Sequence, residues 1–154
     1  MMQMYKPGNF TDQIKHPLLT DFLTKIVEPG FRYFELHAGE GKYSENEYYE
    51  NCRSPRPENK EEAEKQGWEL VRNQEWWYKG SPVRALEVLT QKIYCDYSAF
   101  FNEKNDVKRV KLKNNLEKFM CFEVNNMWED NIEDYLKIAG KNSLFFIDPT
   151  YAKE

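Results

Sequence analysis

Four short runs rich in apolar and aromatic residues, "FRYFELH", "KIYCD", "FMCFEV" and "SLFFID", separated by stretches of helical character, constrain this chain more than anything else in it. Strands covered by helices on both faces read as consecutive apolar positions, and their alternation with helices is the pattern of an α/β fold built on a parallel sheet. The segment "HPLLTDFLTKIVEPG" spaces Leu18, Leu19, Phe22, Leu23, Ile26 and Val27 for an amphipathic helix, with Pro17 at its entrance and "EPG" as its stop. "GSPVRALEVLTQK" is a second helix, with Ser81 placed to cap it and Pro82 at its first position. Helices are also expected through "YSAFFNEK" and "NIEDYLKIAG". Residues 44–80 interrupt this order with a polar, charge-rich excursion, partly helical, whose aromatics Trp68, Trp76, Trp77 and Tyr78 are expected to pack back on the domain.

The 154 residues suit a single domain with one core. Hydrophobic residues make up 40% of them, which argues against disorder, while no run approaches the roughly 18 apolar residues of a membrane span. No export signal is visible at the N-terminus, so the expected location is the cytoplasm. Cys52, Cys95 and Cys121 lie far apart without CxxC spacing, giving neither a disulfide framework nor a zinc site. A net charge of -4 gives no general attraction to nucleic acid; the basic stretch "KNDVKRVKLK" from Lys104 to Lys113 is the local candidate for an RNA contact.

The chemistry-bearing residues gather at expected strand ends. Glu35 closes the first strand and leads through His37 into a turn with Gly39 and Gly41, where a ligand can lie against the backbone. Asp96, at the expected end of the second strand, can accept hydrogen bonds from ribose hydroxyls. At the fourth, Asp148 and the carbonyl of Pro149 can accept from an exocyclic amine, while the Tyr151 ring stacks on the base that carries it.

Four blocks, "GNFTDQIKH", "FRYFELHAGEGKY", "YKGSPVRALEVL" and "SLFFIDPTYAKE", resemble in order the RlmJ-type ribosomal RNA large-subunit adenine-N(6) methyltransferases. The glycine and "GSP" blocks are also similar to those of the three-Cys-motif partner proteins; the Lys-His block favours the RlmJ type. The resemblance implies a Rossmann-like class I methyltransferase core with strand order 3-2-1-4 and S-adenosyl-L-methionine as cofactor. By motif, Lys15 and His16 would close over the cofactor, and His37, Gly39 and Gly41 would floor its pocket. Ser81 would bond near the methionine part, Asp96 would hold the ribose, and Asn125 and Asn126 would meet the adenine. Asp148 matches the catalytic residue, and no metal is implied.

Thr150 replaces the second proline of the family's Asp-Pro-Pro-Tyr, and Asn125 and Asn126 replace its Asp-Gly, departures that loosen the acceptor turn and weaken the adenine end. The family's sheet continues with C-terminal strands not found in this sequence, so the apolar fourth strand is expected to need a cover: a second copy in a homodimer, a separate partner, or the excursion itself. Two functions are therefore expected: methyl transfer to an adenine amine in RNA, less readily DNA, or binding of S-adenosylmethionine or a protein partner with weak or no turnover.

Overall fold

The computed structural model describes residues 10–48, 56–72, 74–126 and 131–149. Helix α1 (Phe10–Ile26) leads into strand β1 (Phe31–Glu35). The excursion comprises β2 (Lys42–Ser44), α2 (Glu45–Tyr48), α3 (Lys60–Lys65), β3 (Trp68–Val71) and β4 (Glu75–Lys79). Then follow α4 (Ser81–Ile93), β5 (Tyr97–Asn102), α5 (Asp106–Asn115), β6 (Phe122–Asn125), α6 (Asn131–Ala139) and β7 (Ser143–Phe146).

Four strands form a parallel sheet in the order β6-β5-β1-β7. Counted in chain order within that sheet, this is 3-2-1-4, as the resemblance implies. Its two faces follow from the two-residue period of the strands. One face carries Phe31, Tyr33, Ala99 and Phe101, covered by Leu19 and Leu23 of α1 and Val27 just after it, by α4 and by Leu112 of α5. The other carries a row of phenylalanines in register: Phe34 stacks on Phe100 at 4.9 Å and on Phe145 at 4.4 Å, under Tyr135 and Ala139 of α6. Such cross-strand aromatic pairs fix the register of three strands at once.

Several boundaries differ from the sequence reading. Helix α1 starts at Phe10, so Pro17 lies inside it and Lys15 and His16 are helical. A proline there forfeits one backbone bond, but the turns after it gain side-chain bonds, Thr20 Oγ1 to the His16 carbonyl and Thr24 Oγ1 to that of Thr20. Four of the six residues of the expected apolar stripe pack inward; Leu18 and Phe22 are 63% and 51% exposed. "KIYCD" is not a strand but the end of α4 and the turn after it, where Tyr94 at φ 55 stops the helix. "YSAFFN", expected as helix, is β5; burial of Tyr97, Ala99 and Phe101 with Ser98 exposed is the alternation of a strand. Ser81 does not cap α4. Gly80 occupies that place, and the Ser81 hydroxyl points elsewhere, to Glu35.

The excursion is more ordered than "partly helical". Strands β2, β4 and β3 form their own antiparallel sheet, with Trp68 and Tyr78 packed against Ala63, Tyr43 and Trp76. It does not cover the fourth strand: among the described residues, β7 pairs with β1 alone. No helix among the described residues is long and apolar enough to cross a membrane.

Candidate functional site at the carboxyl edge of the parallel sheet

Because all four strands of the larger sheet run the same way, their carboxyl ends share one edge. The chain order reverses between β1 and β7, and crevices at such reversals are where open α/β sheets take ligands. Glu35, at the end of β1, is fully buried and accepts hydrogen bonds from the Tyr33 hydroxyl (2.7 Å) and the Ser81 hydroxyl (2.8 Å). Burial pushes its carboxyl up to about 8, against those two hydrogen bonds and with a smaller upward push from the charge of Asp148. Across the reversal, just past β7, Asp148 Oδ1 takes a 2.6 Å ion pair from Lys15 of α1. His37 is half-buried and held below the usual imidazole range first by burial, with Asp148 and Lys104 acting on it in opposite senses.

The turn after β1 explains its own glycines. Gly39 and Gly41 have φ of 68° and 81°, in the left-handed region that disfavours side chains. A Cβ on Gly39 would meet the Tyr43 hydroxyl at 2.5 Å, and one on Gly41 would meet Leu112 Cδ1 at 3.0 Å. That hydroxyl also accepts the Glu40 N–H at 3.2 Å, so the turn is closed by its own chain.

At the end of β5 stand two residues that the sequence reading passed over. Asn102 is buried and its Nδ2 donates to the Leu36 carbonyl at 3.3 Å, while its Oδ1 has no partner among the described residues. Glu103 follows, half-buried, its carboxyl raised by burial against the lysines 108 and 104 and the N–H groups of Gly39 and Asn105 that bond to it. This is the strand-end acid that Asp96 was expected to be. Asp96 lies instead at the amino end of β5, exposed, its carbonyl accepting the Gly30 N–H on the opposite edge of the sheet. With "YSAFFN" read as a strand, "NE" would have been found at its end.

Next along the edge, Asn125 closes β6 and donates to the Tyr135 hydroxyl at 2.9 Å, with Asn126 exposed beyond it. The edge thus brings together Glu35, His37, Gly39, Asn102, Glu103, Asn125 and Asp148, with Lys15 reaching in from α1. His16 engages the excursion instead: its Nδ1 lies 2.8 Å from the Tyr78 hydroxyl, and burial first, then Arg84 and Lys15, lower its pKa to about 3. Tyr151, like Thr150 and Cys52, lies outside the described residues. No cluster suited to a metal ion occurs among the described residues.

No family model and no curated protein matches the chain. Among solved structures, the fold is similar to that of protein LPL1258 from Legionella pneumophila str. Philadelphia 1, of family model DUF519, with a TM-score of 0.66 at 23% identity. The match spans 96% of this chain and 59% of that one, and at such identity it speaks for the fold alone.

Proposed function

We propose that the protein is a Rossmann-like methyltransferase domain that binds S-adenosylmethionine along this edge and methylates an adenine amine in RNA. The observation that carries the reading is the convergence of Glu35, His37, Glu103 and Asp148 at the reversal of strand order. The donor set fits the cofactor: Glu103 is an acceptor for ribose hydroxyls, Asn102 Oδ1 is a buried acceptor still open, and Asn125 and Asn126 border the adenine end. The cofactor, when bound, supplies an electrophilic methyl group on a sulfonium. Asp148 and the Pro149 carbonyl would hold the acceptor amine in line by accepting hydrogen bonds from it, the one proton released on methylation passing to Asp148 or water, so that the rate comes chiefly from positioning. An RNA target would present its base unstacked, with lysines of α5 near the Glu103 side of the edge as phosphate contacts. The open edge of β7 would be covered by a second copy of the chain or by another polypeptide.

Transfer of labelled methyl from S-adenosylmethionine to RNA lacking the modification tests the activity. Incorporation that falls at least a hundredfold in Asp148→Ala supports it; background incorporation by the unaltered chain sinks it. The 2.6 Å pair with Lys15 favours a second reading, because it engages an Asp148 oxygen that the amine would need. On that reading the protein binds the cofactor without turnover, and calorimetric titration showing binding with no transfer identifies it.

A further inference from the structure

At the other edge of the sheet, away from the candidate site, two cysteines converge. Cys95 lies in the turn between α4 and β5, half-buried, and Cys121 stands exposed immediately before β6. The Cys121 thiol donates to the Cys95 carbonyl oxygen at 3.5 Å, and the neighbouring Cys95 side chain adds to burial in pushing the Cys121 thiol up. Burial, against a hydrogen bond with Thr90 and with smaller upward pushes from Cys121 and Cys95, raises the Tyr97 phenol, whose hydroxyl donates to the Met120 carbonyl at 2.9 Å.

The main chain on both sides is pinned. Tyr94 N–H donates to Thr90 and Asp96 N–H to Ile93, while Ala99 N–H takes the Cys121 carbonyl at 3.0 Å. Cys121 itself holds φ at 63°, a left-handed conformation that non-glycine residues rarely adopt outside a defined turn. The approach of the two residues is therefore held by the pairing of β5 with β6 and by the turn before β5.

We infer that Cys95 and Cys121 form a reversible disulfide that staples the amino ends of β5 and β6, made by exchange with a small-molecule disulfide such as oxidised glutathione. The exposed Cys121, as thiolate, attacks one sulfur of the oxidant; a mixed disulfide forms and one small thiolate leaves. Cys95, as thiolate, then attacks the Cys121 sulfur and expels the second. Two electrons pass from the protein to the oxidant, and the two protons released by the cysteines go to the departing thiols. The staple joins residues 26 apart in sequence, so it stabilises the oxidised form largely by restricting the unfolded chain.

The test uses the full chain, both unaltered and as Cys52→Ser, incubated with oxidised glutathione at pH 8, quenched with an alkylating agent and mapped by mass spectrometry. A linked peptide pair holding Cys95 and Cys121, lighter by two hydrogens and released by dithiothreitol, is expected, with a thermal midpoint raised on the order of 5 °C. Cys95→Ser and Cys121→Ser should each lose both effects. A lasting glutathione adduct on Cys121, alkylation of both thiols, or a link without any thermal shift would overturn the inference.

Discussion

Glu35 and His16 are both buried, both ionisable, and both displaced from their ordinary ranges by the same cause, yet they act on stability in opposite directions. The Glu35 carboxyl is raised from 4.5 to about 8, so the folded state holds a proton that the unfolded state has released; its contribution is complete below 4.5 and is lost as pH rises toward 8. His16 is lowered from 6.5 to about 3, so the unfolded state takes up the proton first; its contribution is complete above 6.5 and is lost as pH falls toward 3. Between 4.5 and 6.5 the two slopes cancel. Stability measured by denaturant unfolding should therefore be flat across that window and fall on either side, each limb by about 1.4 kcal/mol per pH unit at most. Glu103 and His37, shifted in the same respective senses but less buried, act from 4.5 upward and from 6.5 downward, so within that window they too oppose one another. Glu35→Gln, which keeps the shape but has no proton to hold, should flatten most of the alkaline limb and leave the acid limb intact. An alkaline limb unchanged in that variant would mean that Glu35 is ionised in the folded protein.

At the scale of elements, a buried hydrogen bond between His16 Nδ1 and the Tyr78 hydroxyl of β4 ties α1 to the excursion. The rings also stack at 5.8 Å, with the Arg84 guanidinium 5.4 Å from the tyrosine ring. Tyr78→Phe keeps the stacking and removes the hydroxyl, leaving a buried nitrogen without this partner, and should cost roughly 1–3 kcal/mol in equilibrium unfolding. Hydrogen exchange should report the loss first in β4 and the middle of α1. A change within error would show that water replaces the hydroxyl without penalty. This tie was not legible beforehand, because Tyr78 and His16 are 62 positions apart and nothing local marks them as partners. What was legible followed from local pattern. The apolar runs of "FRYFE" and "SLFF" marked β1 and β7, and Pro82 in "GSPVRALEVLTQK" marked the first turn of α4. The reading of β5 failed because "KIYCD" and "YSAFFN" are both short and aromatic, and a run of that length does not separate strand from helix by periodicity. That one exchange carried Asp96 to the wrong edge and hid Asn102 and Glu103. The strand order itself was read correctly only through the resemblance, since spacing along a chain does not state which strands become neighbours.

For the whole molecule, the sheet ends in β6 on one side and β7 on the other, and the apolar surface lies on the side of β7. Among the described residues that strand uses one of its two hydrogen-bonding edges, on β1. Beside it runs an apolar groove of about 310 Å³ lined by Leu18, Leu19 and Phe22 of α1 and Leu144, Phe145 and Phe146 of the strand. Ile14, Leu18 and Phe22 recur every fourth residue and are 49%, 63% and 51% exposed, so they form one apolar stripe along the helix, and Ile147 adds 58% exposure at the end of the strand. An unpaired strand flanked by such a stripe invites association of chains. The same exposure means that Leu18 and Phe22 contribute little to the core, in contrast to Leu19 and Leu23 on the inner face. Replacing Leu18 and Phe22 together by lysine should therefore separate the two effects. The thermal midpoint should stay within about 2 °C of the unaltered protein, since surface changes away from packed features rarely exceed about 0.5 kcal/mol each. Sedimentation velocity over a hundredfold range of concentration should show the unaltered chain shifting to larger species and the double variant remaining at the mass of one chain. If both behave alike, association does not run through the α1 stripe, and the backbone edge of β7 alone would have to account for it. A drop of many degrees with unchanged association would instead mean that Leu18 and Phe22 hold the helix to the sheet through the groove they line, giving the stripe a role in folding that its exposure does not reveal.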